Sequence, residues 1–174
     1  MFGVQRYDCG FFNPQFQQEC INDIERLYQA GLYKLHLSEQ SQDILFTENI
    51  NLSENWNILK NSFLESVFHY SGQKFHKTWA WCFRNQENIP PKQWNWHFHP
   101  NALFSGVLYL NLPSDERGNF CYTTEFKIDN DRSMFVEPVV GSWFIFHGKH
   151  VHRNGFWNHL DMKGNRYCIA ASVA

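Results

Sequence analysis

The sequence predicts a mainly β domain, a sandwich or barrel of short strands supported by two amphipathic helices near its N-terminus. Three observations lead to this prediction. Short apolar and aromatic runs recur from about residue 74 onward, with turn residues between them. Two earlier segments have apolar residues at helical spacing. Aromatic residues and charged residues each make up 18% of the 174 residues, so the chain can bury a core rich in rings.

Both predicted helices have start and stop signals. Asparagine caps a helix and proline suits its first position, so the first helix begins at Asn13-Pro14, and Gly31 ends it. The second begins at Ser53 and ends at Gly72. Residues 32–51 are mixed and polar and predict no element. Each helix has an apolar stripe that we expect to pack against a sheet: Phe16, Cys20, Ile24, Leu27 and Tyr28 in the first, and Trp56, Leu59, Phe63, Val67 and Tyr70 in the second.

The predicted strands follow an alternating aromatic segment at 75–83 and are separated by turns rich in Asn, Asp, Gly, Pro and Ser. No linker, repeat or low-complexity tract interrupts the chain. We therefore expect one domain over residues 1–174, with a helical lead-in over about 1–72 and a β core over about 73–174. The predicted strands are 103–111, 119–127, 133–140, 142–147, 149–156 and 165–173.

Charge and cysteine content argue against several classes of partner. The formal net charge is −2, so we expect neither nucleic acid nor an anionic membrane as an electrostatic partner. No apolar run approaches the ~20 residues of a membrane span, and the N-terminus lacks the regions of a signal peptide. The five cysteines are scattered and form no Cys-x-x-Cys pair. This pattern indicates a reducing compartment, so we expect a cytoplasmic protein without a disulfide framework or a structural zinc site.

Two histidines, His97 and His99, directly precede a predicted buried strand. Residues i and i+2 of an extended segment share a face, so both imidazoles can bind one metal ion such as iron, zinc, copper or nickel. A surface strand with two chance histidines is the plainer interpretation of this pair alone. Further candidate ligands lie at the end of the predicted strand 142–147 and just after it, at His147, His150 and His152.

Arg166 is the candidate for binding a carboxylate beside this metal. If 149–156 and 165–173 form an antiparallel hairpin with His152 opposite Arg166, the centre of the hairpin falls at His159, in a plausible loop. Arg166 would then lie on the face that carries the metal, where its planar guanidinium can bind a carboxylate through two hydrogen bonds. The alternative is a solvated arginine, or one paired with a surface carboxylate.

These residues resemble the motifs of the 2-oxoglutarate- and iron(II)-dependent oxygenases, most closely those of a branch found in marine bacteria and their phages. The similar segments are His97–Asn111, Pro138–Phe146 and His152–Ala170. The resemblance implies a double-stranded β-helix, or jelly roll, that uses iron(II), 2-oxoglutarate and O2. It implies an oxidoreductase, a dioxygenase that hydroxylates a small-molecule or peptide substrate and releases succinate and CO2.

The resemblance also implies a role for each candidate residue. His97 and His152 would bind the metal, and His99 stands where most members have an aspartate or a glutamate. Arg166 would bind the distal carboxylate of 2-oxoglutarate. Cys168 stands where many members have a hydroxyl residue, and Tyr109 could supply a phenol instead. If His97 and His99 both bind, the centre has three imidazoles, a set that also binds zinc in hydrolytic sites; if only one binds, water completes the coordination sphere.

Two other functions fit the same residues. A cupin-like metal-dependent dioxygenase, isomerase or hydrolase would use the histidines without 2-oxoglutarate, and Arg166 would then be dispensable for co-substrate binding. A non-enzymatic jelly-roll binding module would have its histidines scattered in space. The tryptophans have two interpretations of their own: at least two of the four should fill the core, and Trp94 or Trp96 could instead cover a substrate cleft. The four are Trp79, Trp81, Trp94 and Trp96.

Overall fold

The structure is a computed structural model, and it describes residues 3–32, 34–35, 41–45, 54–85, 96–114, 123–154 and 163–174. It contains two helices, α1 (Pro14–Gln29) and α2 (Glu54–Ser71). The strands are β1 (Val4–Asp8), β2 (Lys34–Leu35), β3 (Ser41–Leu45), β4 (Trp79–Asn85), β5 (Phe104–Asn111), β6 (Thr124–Lys127), β7 (Ser133–Phe135), β8 (Ser142–His147), β9 (His152–Asn154) and β10 (Arg166–Val173).

The strands form two antiparallel sheets. The larger sheet has the order β1-β8-β5-β10-β4-β3-β2, and the smaller one has the order β7-β6-β9. A mainly β fold with supporting helices is therefore confirmed. The N-terminal part also contributes β1, β2 and β3 to the larger sheet, which helical spacing alone did not predict.

The helix ends follow the predicted signals. The Asn13 side chain accepts a hydrogen bond of 3.0 Å from the backbone N–H of Phe16, which caps α1. Gly31 and Gly72 both have φ of 72°, a left-handed conformation that glycine adopts without steric cost, and each lies just beyond a helix. The predicted start at Ser53 lies outside the described residues, one position before the observed start of α2.

The side chains of β10 show how the layers are organised. Tyr167 and Ile169 point toward the helices and join a core with Ile24 and Phe63. Cys168 points the other way and joins a second core between the two sheets. The larger sheet is therefore buried on both faces, with helices on one side and the smaller sheet on the other.

The predicted hairpin between the strands of His152 and Arg166 is wrong. The strand β9 lies in the smaller sheet, where His152 pairs with Phe126, while β10 lies in the larger sheet, where Arg166 pairs with Asn85. Although β9 and β10 are consecutive in the chain, they belong to different sheets, so pairing inferred from neighbourhood in the chain fails here. The two residues lie in different sheets, but both side chains point into the space between the sheets.

Other predicted strands differ mainly in length. The segments 103–111, 142–147 and 165–173 match β5, β8 and β10 within one residue, and 75–83 overlaps β4. The predicted strand 133–140 is shortened to β7. The described parts of 149–156 and 119–127 contain β9 and β6. Among the described residues, no helix is long and apolar enough to cross a membrane.

Candidate metal centre

Three histidines meet at one point near the end of the smaller sheet. The ring centroids lie 5.5 Å apart for His97 and His99, 4.5 Å for His97 and His152, and 5.0 Å for His99 and His152. One nitrogen from each ring lies within 4.8 Å of the others, which is close enough for all three to bind one metal ion. Within the described part of the chain, no carboxylate joins this group.

Backbone hydrogen bonds hold the three histidines in place. His97 and His152 form an antiparallel bridge, with N–H to carbonyl distances of 3.0 and 2.8 Å in the two directions. The N–H of His99 donates to the carbonyl of Gly148 at 2.9 Å. The expected convergence of His97 and His99 is thus seen, while contact of either ring with His152 depends on pairing between distant segments.

The hydrogen bond of His152 determines which of its nitrogens can bind a metal. Its Nδ1 lies 2.8 Å from the carbonyl oxygen of His150, and a carbonyl can only accept. The proton of the neutral ring is therefore on Nδ1. The lone pair of Nε2 remains available, an arrangement typical of histidine ligands whose other nitrogen is held by the protein.

Burial keeps the imidazoles of His99 and His152 neutral. It lowers the pKa of His152 to about 3, an effect that repulsion from His97 and His99 increases and the hydrogen bond to His150 opposes. Burial also lowers the pKa of His99 to about 4, with a further contribution from His97. Neutral imidazole is the form that binds metals, so near pH 7 these two rings need lose no proton to do so.

Aromatic rings pack against His99 and His152. Phe126 and Phe146 lie 5.7 and 4.9 Å from His152 between ring centroids, and Trp81 lies 5.9 Å from His99. Spacing in the sequence did not indicate these neighbours, because they come from β6, β8 and β4. The rings restrict water on the interior side of the centre.

Arg166, Cys168 and Tyr109 lie together between the sheets. The side chain of Arg166 is buried, with its guanidinium carbon 5.9 Å from the ring centroid of Phe83. Cys168 pairs with Tyr109 across β10 and β5, and both are fully buried. Burial raises the pKa of Tyr109 to about 12 even though the charge of Arg166 lowers it. The phenol is therefore protonated at neutral pH.

Thr124 completes this group and was not predicted from the sequence. Its backbone N–H donates to the Tyr109 hydroxyl at 2.8 Å, and the two hydroxyl oxygens lie 2.7 Å apart. Trp96, considered as a cover for the cleft, lies against Arg153 on the opposite face of the strand from His97. Trp94 lies outside the described residues.

No model of a known protein family and no curated protein matches the sequence. Solved structures do match the fold. A prolyl hydroxylase from Trichoplax adhaerens, solved with a hypoxia inducible factor peptide fragment, superposes with a TM-score of 0.72 at 11% identity, covering 98% of this chain and 82% of its own. A prolyl-4-hydroxylase from Pseudomonas putida gives 0.70 at 12% identity, covering 99% and 92%.

An enzyme of a different reaction class shares the same fold. The α-ketoglutarate-dependent epimerase SnoN of nogalamycin biosynthesis superposes with a TM-score of 0.71 at 13% identity, covering 98% of this chain and 76% of its own. The expected jelly roll is therefore confirmed: this chain has the double-stranded β-helix fold of the 2-oxoglutarate- and iron(II)-dependent oxygenases.

Proposed function

We propose that this protein is a 2-oxoglutarate- and iron(II)-dependent oxygenase, an oxidoreductase that hydroxylates its substrate. One observation carries the proposal. Three imidazoles converge on one point, and they do so at the edge of the inter-sheet core against which the buried cation of Arg166 also packs. A metal centre beside a buried guanidinium suits a ligand that binds the metal at one end and has a carboxylate at the other.

His97, His99 and His152 would hold the iron(II) ion. Three imidazole ligands leave both positive charges of the ion uncompensated. In a centre with two histidines and a carboxylate, only one positive charge is left uncompensated. When bound, iron(II) and 2-oxoglutarate supply the activation of O2 needed to oxidise a C–H bond. The protein contributes the orientation of the three rings and, through Phe126 and Phe146, limited access for water.

Arg166 would bind the distal carboxylate of 2-oxoglutarate. In this interior its charge-assisted pair with a carboxylate gains strength from the low dielectric, and the planar guanidinium orients the co-substrate. Tyr109, protonated and hydrogen-bonded to Thr124, would add a phenol contact. Cys168 would supply a thiol, a weak donor, in the position where many members of the family that the sequence resembles have a hydroxyl residue.

We further propose a small-molecule or peptide substrate, because proteins of this fold have been solved with both kinds of ligand: a hypoxia inducible factor peptide in one case and a nogalamycin compound in another. We also propose that the chain forms a single domain and that the protein is cytoplasmic. The four cysteines in the described residues, Cys9, Cys20, Cys82 and Cys168, are free thiols, which suits a reducing compartment.

A cupin-like enzyme without 2-oxoglutarate is the second candidate. The observation in its favour is the all-imidazole centre, because three histidines also bind zinc in hydrolytic enzymes. A non-enzymatic binding module was expected to have scattered histidines. The convergence of all three rings does not agree with that expectation.

Titration of the iron(II)-loaded protein with 2-oxoglutarate under nitrogen tests the proposal. We expect a visible charge-transfer band in the wild type. Arg166→Ala should weaken 2-oxoglutarate binding by about 2–5 kcal/mol, roughly 30-fold to several thousand-fold, because a buried charge loses its partner. Arg166→Lys should rescue only part of this loss, since lysine offers a point charge and not a fork.

Iron content should stay near the wild-type value in both variants, because Arg166 is not among the three proposed ligands. Arg132→Ala is the matched control: this arginine is exposed and pairs with Asp129 in the turn between β6 and β7. Unchanged 2-oxoglutarate affinity in Arg166→Ala would contradict the proposal and favour the cupin-like function.

A further inference from the structure

A second row of side chains lies on the outer face of the smaller sheet, behind the histidines. The antiparallel bridge between His97 and His152 places the adjacent residues Trp96 and Arg153 opposite each other. The guanidinium carbon of Arg153 lies 4.1 Å from the centroid of the Trp96 ring, which is a close cation–π contact. Side chains alternate across a strand, so this contact lies on the face that points away from the metal centre.

The row continues onto the next strand. Arg153 pairs with Glu125 of β6, and its Nε lies 2.6 Å from a Glu125 carboxylate oxygen. Ser133 of β7 donates a hydrogen bond to the other oxygen. The Glu125 side chain is only 5% exposed and that of Arg153 20%, so the ion pair is shielded from water on both sides.

The inner face of the same segments carries another row of side chains. His97 bridges His152, and His152 pairs with Phe126 of β6, whose ring lies 5.7 Å from the histidine ring. The two rows therefore run over the same backbone segments: the inner one carries two proposed metal ligands, and the outer one carries an aromatic ring, a cation and a carboxylate.

The backbone attaches His97 to the smaller sheet at a single point. His97 is attached to the sheet by an isolated bridge and not by a full strand, so two backbone hydrogen bonds hold it against His152. The Trp96–Arg153 contact joins the same two segments through side chains, one residue away from His97 on one segment and from His152 on the other. The Glu125 carboxylate keeps the guanidinium oriented, because a hydrogen-bonded ion pair restricts its rotation.

We propose that Trp96 and Arg153 are positioning residues for the metal centre: the stack of Trp96 on the Glu125-bound guanidinium of Arg153 sets the separation and orientation of His97 and His152. This inference rests on the proposed metal centre. The chemistry is that of an outer-shell support, in which groups that never touch the metal determine how well its ligands are aligned.

Cobalt(II) titration of the metal-free protein tests this inference, because the visible d–d spectrum of cobalt(II) reports both affinity and ligand geometry. We expect Trp96→Leu and Arg153→Lys each to weaken cobalt(II) binding by about 10-fold and to change the shape of the d–d spectrum. Arg153→Lys retains the charge opposite Glu125 but loses the planar stack. The milder Trp96→Phe keeps a ring and should weaken binding less than Trp96→Leu.

A double variant tests whether Trp96 and Arg153 act through their mutual contact or independently. If Trp96 and Arg153 act through their contact, the loss in Trp96→Leu/Arg153→Lys should be smaller than the product of the two single losses. Arg132→Lys and Trp56→Leu are matched controls, because they make the same replacements in an exposed ion pair and on α2. Melting temperatures of all metal-free variants show how much each fold has been weakened.

Three results have distinct meanings. Wild-type protein that fails to bind cobalt(II), or binding that survives His152→Ala, would overturn the metal centre and this inference together. Wild-type binding with unchanged affinity and spectrum in both Trp96→Leu and Arg153→Lys would overturn the inference alone. The inference would also be overturned if Trp96→Leu and Arg153→Lys lost no more cobalt(II) affinity than control variants whose melting temperature fell by the same amount.

Discussion

His99 gives the proposed centre its particular chemistry. It supplies an imidazole where iron(II) oxygenase centres commonly have a carboxylate, and its ring stands between the bridge pair and Trp81. Burial lowers its pKa to about 4, so its imidazole is neutral at the pH of the cell. Each of the three histidines can therefore be tested by a substitution of its own.

His97→Ala or His152→Ala should abolish stoichiometric iron binding while the fold is retained. The two residues come from different segments and meet only through their bridge, so losing either ring leaves at most two ligands. Metal analysis after anaerobic loading, together with the circular dichroism of the metal-free protein, checks this expectation. Wild-type iron content in either variant would show that the ligand assignment is wrong.

His99→Asp should retain more activity than His99→Ala. Aspartate restores a carboxylate ligand and reduces the charge of the centre by one, whereas alanine leaves a vacant position. The measurement is 2-oxoglutarate-dependent O2 uptake with iron affinity measured in parallel. Activity in His99→Ala that His99→Asp lacks would mean that His99 is not a ligand.

The connection between β8 and β9 is the element that aligns the centre. Gly148 lies in this connection, where its carbonyl accepts from His99 and its N–H donates to the carbonyl of Leu103 at 2.8 Å. A Cβ on Gly148 would lie 2.0 Å from the carbonyl oxygen of Ala102, a contact that no side chain can make. Two backbone segments thus approach each other at a distance that requires glycine.

Gly148→Ala should displace the segment that carries His99. We expect a loss of about 1–3 kcal/mol in the free energy of unfolding, the usual cost of overpacking, and weaker metal binding. Urea unfolding and cobalt(II) titration measure the two effects. Gly10→Ala is the control, since a Cβ at Gly10 meets no atom within 4 Å. Equal behaviour of the two variants would contradict the close-packing argument.

At the scale of the whole molecule, a charged group joins the helical layer to the larger sheet. Glu25 of α1 accepts hydrogen bonds from Arg84 Nε of β4 at 2.6 Å and from the Tyr167 hydroxyl of β10 at 2.5 Å. The Arg84 guanidinium also lies 4.1 Å from the ring centroid of Tyr28. Burial alone would raise the pKa of Glu25, but the bonds from Arg84 and Tyr167 and the charge of Arg84 outweigh it.

The stability of the metal-free protein should therefore fall in acid. Because folding lowers the pKa of Glu25 below its usual 4.5, the unfolded state binds a proton at higher pH than the folded state does. The stabilisation is present above about pH 4.5 and is lost as the pH falls through the pKa of the folded state. Urea unfolding at a series of pH values in this range measures the slope.

Glu25→Gln should flatten that slope below pH 4.5 and lower stability at neutral pH, because the partner cation of Arg84 loses its carboxylate. Glu65→Gln is the control: this carboxylate is 74% exposed on α2 and lies 3.8 Å from His69. A slope in Glu25→Gln that equals the wild-type slope would show that the ion pair between the helix and the sheet does not contribute.

Local chemistry was enough to predict several features. Asn13 and Gly31 mark the ends of α1 because capping and a positive φ depend only on residues near in the chain. His97 and His99 converge because the residues lie two apart in an extended segment. The mainly β class follows from short alternating runs, and the structural comparisons confirm the jelly roll.

Tertiary structure alone decided how the distant parts of the site come together. His152 meets His97 through a bridge, and Arg166 reaches the interior from the opposite sheet, so no hairpin register could relate the two. The outer row of Trp96 and Arg153 was equally hidden, since it depends on that bridge. The physical reason is that hydrogen bonds within helices and turns join residues near in sequence, whereas pairing between strands joins segments whose separation the local pattern does not encode.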